Sequence, residues 1–170
     1  EQSIAQAMDG DDVAIVPFLP YILQDAWEIG TPAEAVAGLV RRHQRDHAGL
    51  EVLDLGCGKG AVAVKLAREL GCRCLGIDAI GEFVEFARAK ARELGVEPLC
   101  RFAAGDVRQE IAALGRFDVV VLGAVGPVFG DLRATLGTLA PHLRDGGMVA
   151  VDDGYLPDDS PHALPGVLRR

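Results

Sequence analysis

Five short apolar runs, each but the last followed by a stretch of helical periodicity, constrain this chain more than any other feature. LEVLDL leads into GAVAVKLARELG, RCLGID into GEFVEFARAKARELG, CRFAAGD into VRQEIAALG and FDVVVLG into DLRATLGTLAPHLRDG, and GMVAVDD closes the series. Strands are expected near 50–55, 73–78, 100–104, 117–122 and 147–152. Strands joined by helices run parallel through right-handed crossovers, so the fold class is α/β, a doubly wound, mainly parallel sheet with helices on both faces. The uninterrupted VVVL of the fourth run fits burial on both faces. A further helix is expected over Pro32–His47, and Gly71, Gly95 and Gly115 fall where left-handed caps would end helices.

One domain is expected: residues 1–48 as a helical lead-in, 49–154 as the core, and 155–170 as the start of an incomplete C-terminal segment. In the lead-in, VPFLPYILQDAWEIG carries Phe18, Tyr21 and Trp27 with two prolines. It reads either as a packing element or as a short helix over the site. Glu1 in place of an initiator Met suggests that the numbering starts inside a longer chain.

The 170 residues carry a formal net charge of −8. Affinity for nucleic acid comes largely from Lys and Arg displacing counterions, so that balance disfavours a nucleic-acid partner. The acidic start EQSIAQAMDGDD lacks the regions of a signal peptide, and no run approaches a membrane span. A cytoplasmic protein without membrane contact is therefore expected. Four cysteines without a disulfide framework point to free thiols. Cys72, Cys74 and Cys100 could form a three-thiolate metal site, but buried core cysteines are favoured and no metal is expected.

Parallel sheets bind ligands outside the carboxyl ends of their strands. At the end of the first strand, DLGCGKG places Gly56, Gly58 and Gly60 at alternate positions, where the backbone can turn tightly and approach a ligand. Asp78 ends the second strand, placed to accept both hydroxyl hydrogens of an adenosine ribose. Asp106 ends the third, within reach of an exocyclic adenine amine. Either could instead cap the following helix.

The G-x-G-x-G spacing departs from the G-x-G-x-x-G of dinucleotide binders, since position 61 is Ala. VLDLGCGKG, GID, AAGDV, FDVVVLGAVGPV and LRDGGMVAVDD together resemble, in the right order, the motifs of class I S-adenosylmethionine-dependent methyltransferases. The resemblance runs from about Leu50 to Asp153 and implies a strand order of 3-2-1-4-5. It implies that Asp54 and Gly56 shape the pocket around the methionine portion, Gly58 sits beside ribose and methionine, and Asp78 holds the ribose hydroxyls. Asp106 and Val107 would meet the adenine edge, Ile80 its face, and Gly123 and Ala124 the amino group. Lys59 is expected to be a solvated residue at the start of the helix, and Cys57 a small filler. The family's sheet continues past strand five with an antiparallel pair, which about 17 residues after Asp153 do not supply. Strand five, with Met148–Val151 as its apolar centre, would then be a bare edge. A fragment of a longer methyltransferase is expected, with a homodimer covering that edge as the runner-up.

The implied activity is in-line methyl transfer from S-adenosyl-L-methionine, in which the cofactor supplies the hard chemistry and the protein aligns the reactants. A base is optional; Asp152, Asp153 and Tyr155 are the candidates at the sheet edge. His142 is expected to be structural, and His43 with His47 to form a solvated helix end. The fourth strand lacks the Asn/Asp-Pro-Pro-Tyr/Phe box of amine methylation, and Gly123 stands where metal-dependent relatives place a ligating Asp. A small-molecule acceptor is favoured by elimination. The alternatives are a module that binds S-adenosylmethionine or S-adenosylhomocysteine without methyl transfer, and a nicotinamide-dependent oxidoreductase.

Overall fold

The computed structural model of the chain describes residues 12–152. Its centre is a five-stranded, wholly parallel sheet of β1 (Glu51–Leu55), β2 (Arg73–Asp78), β3 (Cys100–Ala104), β4 (Phe117–Gly123) and β5 (Leu143–Asp152). Their order, β3-β2-β1-β4-β5, is the expected one and places β1 centrally. A short 3₁₀ turn, Val13–Phe18, runs into α1 (Leu19–Ile22), and α2 (Ala33–His43) precedes the sheet. The crossovers are α3 (Ala61–Leu70), α4 (Gly81–Glu93), α5 (Val107–Glu110) and α6 (Leu132–Leu139).

Alternation along the strands divides the core in two. Val52 of β1, Cys74 of β2 and Val119 and Val121 of β4 pack with α2, α3 and α4 on one face. Leu53 and Leu55, with Ile77, Val120 and Leu122, pack with Val107, Ile111 and Leu139 on the other. Asp54 follows the parity of Val52, so β1 delivers a carboxylate to the top of an apolar layer. Gly71 ends α3 at φ 71°, its amide donating to Ala67 O.

Several expected boundaries differ. Helix α2 stops at His43 because Gln44 is extended, and the Gln44 side chain donates to Gly146 O across the fold. His47 therefore lies beyond the helix, and the His43/His47 pair does not form on one helical face. The stretch after β3 is only α5 and a 3₁₀ turn, Ile111–Ala113, and Gly115 does not take the left-handed conformation. Helix α6 yields to a 3₁₀ turn over Ala140–His142, where Pro141 lacks a helical N–H, and β5 begins four residues before the expected start. There Asp118 alone faces residues 144–147 in a bulge; its carboxylate accepts from Glu51 N and from Arg144 Nη1, both at 2.8 Å. His142 Nδ1 lies 3.2 Å from Gly115 O, a structural position.

All four cysteines are free and buried. Cys74 and Cys100 stand side by side on β2 and β3, whereas Cys72 precedes β2 and its thiol lies 3.6 Å from His47 O. No metal-ligating cluster occurs among the described residues. Among them too, no helix is long and apolar enough to cross a membrane, and β5 pairs with β4 alone, leaving Val151 38% exposed.

Two glycines should respond oppositely to alanine. A Cβ on Gly76 would lie 2.7 Å from Phe102 and 2.8 Å from Cys57 Sγ, so Gly76→Ala is expected to destabilise by about 1–3 kcal/mol. Gly38, inside α2, has nothing within 4 Å of that position. Gly38→Ala is expected to stabilise by roughly 0.5–1 kcal/mol. Urea midpoints at unchanged m-value check both.

Candidate active site

The turn after β1 takes Gly56, Gly58 and Gly60 through φ 70°, 51° and 76°, a left-handed run that side chains resist. Hydrogen bonds hold it down. The amides of Gly56 and Cys57 both donate to Ile77 O, at 2.8 and 3.1 Å. The amide of Gly58 donates to Asp78 Oδ2 at 2.7 Å, while Ile80 N donates to Asp78 Oδ1 at 2.9 Å. Each glycine also admits a neighbour: Val125 crowds Gly56, Ile29 faces Gly58, and Ala87 lies 2.7 Å from a Cβ built on Gly60.

Above this turn lies a cavity of about 180 Å³. All nine residues expected to contact the cofactor line it, from Asp54 on β1 to Gly123 and Ala124 at the end of β4. The N-terminal segment, which the sequence leaves open to two readings, forms part of its cover: Leu19, Leu23, Trp27 and Ile29 line it. That cover passes close to β4, where a Cβ on Gly123 would lie 2.1 Å from Thr31 Oγ1. Glu28 then caps α2, its Oε2 accepting from Ala33 N at 3.2 Å.

Burial sets the electrostatics. Asp54 is 3% exposed, and among the described residues its Oδ2 has no hydrogen-bond partner. Desolvation, with the neighbouring Asp78 charge adding, pushes its carboxyl up to about 7 against the pull of the Ala63 backbone. Burial also raises Asp78, opposed by the two amides it accepts from. Asp106 moves the other way, because the hydrogen-bonded Arg108 guanidinium lowers it, and its carboxylate caps α5 through Arg108 N.

Lys59 corrects the expectation of a solvated residue. It is 3% exposed, and its Nζ donates to the carbonyls of Leu23, Gln24 and Ala26, caught by the chain leaving α1. Its own carbonyl accepts from Trp27 Nε1 at 3.0 Å. Sequence spacing could not show this, since the partners lie more than thirty residues away; the aromatic cluster before α2 was the available signal. Cys57 is a buried filler, and burial drives its thiol far up. Of the base candidates, Asp152 is exposed and absent from the cavity wall, its backbone O accepting from Ala124 N, while Asp153 and Tyr155 lie outside the described residues.

A left-handed glycine turn with two largely buried carboxylates on the same cavity wall, Asp54 with an oxygen unpartnered among the described residues and Asp78 bonded to backbone amides, suits a polar ligand with hydroxyl and cationic groups. Residues 46–165 match the model of the methyltransferase domain family. The chain belongs to the class I, S-adenosylmethionine-dependent methyltransferases. It is 34% identical over 114 residues to a ubiquinone biosynthesis O-methyltransferase of Methylobacterium sp. (strain 4-46), covering 64% of this chain and 45% of that protein. To the methyltransferase YcgJ of Bacillus subtilis (strain 168) it is 31% identical, covering 72% and 47%. A methyltransferase from Thiobacillus denitrificans, solved with S-adenosyl-L-homocysteine, superposes with a TM-score of 0.66 at 29% identity, over 82% of this chain and 55% of that one. The chain thus spans about half the length of these methyltransferases.

Asp54 makes stability depend on pH in a direction that can be checked. The unfolded carboxyl titrates near 4, so between about pH 4 and 7 the folded chain holds a proton that the unfolded chain has released. The Asp54 contribution is therefore full below that window and falls as pH rises through it. In Asp54→Asn this slope is absent. Urea unfolding of the ligand-free proteins is expected to favour the variant by roughly 1–3 kcal/mol more at pH 8 than at pH 5.

Proposed function

We propose that this chain carries the donor site of a methyltransferase that passes a methyl group from S-adenosyl-L-methionine to a small-molecule acceptor. The observation that carries the reading is the conjunction at the ends of β1 and β2: a left-handed glycine turn, braced by Asp78, beside the buried and unpartnered Oδ2 of Asp54. When bound, the cofactor supplies an activated methyl group on a sulfonium. The chain's own residues then bind, orient and exclude water.

Asp78 keeps acceptor capacity beyond its two backbone amides, because an ionised carboxylate offers about four lone-pair sites. It thus holds ribose hydroxyls while bracing Gly58. Asp54 offers its free oxygen to a cationic group, which returns it to the ionised form. Ile80 and Val107 give apolar contact to the base, and Asp106, although paired with Arg108, presents its edge there. Gly123 and Ala124 bring the end of β4 close, Ala124 at φ 53°. The roof of Leu19, Leu23, Trp27 and Ile29 keeps water from the sulfonium, which aids a displacement that water would otherwise intercept.

A small-molecule acceptor is supported by the net charge of −8 and by the O-methyltransferase from Methylobacterium, whose name ties it to ubiquinone biosynthesis. Acceptors that ionise readily, such as phenols, carboxylates or thiols, need no base and suit this wall best. For other acceptors Asp153 and Tyr155 stand as the bases to test. The cytoplasmic location and a homodimer covering β5 belong to the same proposal.

Titration calorimetry with S-adenosylhomocysteine tests the donor site. Binding is expected in the native chain, and Asp78→Ala is expected to weaken it by roughly 1–3 kcal/mol, about fivefold or more, because two hydroxyls and Gly58 N lose an acceptor. Unchanged affinity in a folded variant overturns the assignment. Incubation with methyl-labelled cofactor and a fractionated metabolite extract tests transfer: a labelled small molecule supports it, and cofactor binding without label in any fraction supports a binding module instead.

A further inference from the structure

Among the described residues Lys59 is the one lysine of the cavity wall, and nothing in the donor site described above uses it. Its position in the glycine turn places it between two parts of the site. On one side, the preceding residue, Gly58, is bonded to Asp78. On the other, Nζ reaches the chain that roofs the cavity, donating to Ala26 O at 2.7 Å and Gln24 O at 3.3 Å as well as to Leu23 O. Three carbonyls satisfy the three donors of an ammonium group. The side chain passes the aromatic faces of α4, with Nζ 4.7 Å from the centre of Phe86 and 5.8 Å from that of Phe83.

The backbone of the same residue takes part as well. Trp27 Nε1 donates to Lys59 O, and the Trp27 ring lies under Lys90 Nζ at 5.2 Å. At its far end the cover is held by Glu28, bonded to Ala33 N, and by Thr31 against Gly123; near Lys59, α1 is four residues long and buries only Leu19, with Tyr21 and Ile22 turned outward at 73% and 54% exposed. Short helices carry little stability of their own, so the seat of this one depends on what holds it from outside. Burying an ammonium ion is costly unless its hydrogen bonds are met, and here the cover alone meets them.

We infer that Lys59 is a positioning residue that latches the N-terminal cover, residues 19–31, onto the glycine turn, so that seating of the roof and retention of the cofactor are coupled through one side chain. The inference rests on the donor-site reading for its effect on cofactor, but not for the latch itself. Leu23, whose carbonyl accepts from Lys59, and Trp27, which donates to Lys59 O, both line the cavity, so a cover that loosens also loosens part of the wall around a bound cofactor.

Trp27 is the only tryptophan in the chain and reports on the cover directly. In Lys59→Met the stem still packs against Phe83 and Phe86 but the donors are gone. Its tryptophan emission in the ligand-free protein is expected to shift to the red, limited proteolysis within 19–31 to speed up, and S-adenosylhomocysteine to dissociate at least tenfold faster. Lys59→Arg, which keeps a charged donor group, is expected to restore part of each change, and serves as the test should Lys59→Met not fold. Lys65→Met is the control. It removes pairs with Glu34 and Glu69 from α3 without touching the cover, so it should lower the melting temperature while leaving emission and dissociation unchanged. Emission, proteolysis and dissociation in Lys59→Met all matching the native protein, or matched by Lys65→Met, would overturn the latch. If the native chain fails to bind S-adenosylhomocysteine, the donor-site reading falls, and emission and proteolysis still decide the latch.

Discussion

The Asp78 carboxylate accepts from the Gly58 amide with one oxygen and from the Ile80 amide with the other, tying the turn after β1 to the turn after β2. A left-handed glycine run has no side chains to pin it, so its shape depends on such external bonds. Ile77 O supplies the second anchor, through Gly56 and Cys57. With the turn fixed, Gly60 can sit tight against Ala87 and Phe102, α3 can start close to the sheet, and Lys59 can face the roof. The cavity is what remains between these pieces.

Charge buried in this site is distributed unequally. Among the described residues Asp54 has an oxygen without a partner in an apolar layer, a cost that a cationic ligand would relieve. Lys59 is equally buried, but its hydrogen bonds are satisfied within the chain. The first is poised for something that comes from outside, while the second holds the molecule's own backbone. That difference sets the proposed binding role of Asp54 apart from the proposed positioning role of Lys59, although both are ionisable residues on the same cavity wall.

Distance along the chain decided how much could be read beforehand. Strand positions and the placement of Gly56, Gly58 and Asp78 were legible because each depends on local pattern: an apolar run, a glycine at a turn, an acid at a strand end. All nine residues named for cofactor contact line the cavity. Lys59 was misread because a lysine beside a helix start looks solvated until residues 23–27 come over it. Helix α2 ran short for a similar reason, since Gln44 answers to Gly146, about a hundred residues later.

By itself the sequence determined the class of fold and which strand-end residues gather around one cavity, since the alternation of periods 2 and 3.6 sets which faces are buried and the strand ends carry the special residues. Only the tertiary structure decided that the segment before α2 is a roof, that Asp54 has an orphaned oxygen, and that a bulge opposite Asp118 extends β5 back to Leu143. Those depend on which atoms meet after folding. Burial and hydrogen-bond partners are properties of the packed chain, and no local pattern encodes a partner thirty or a hundred residues away.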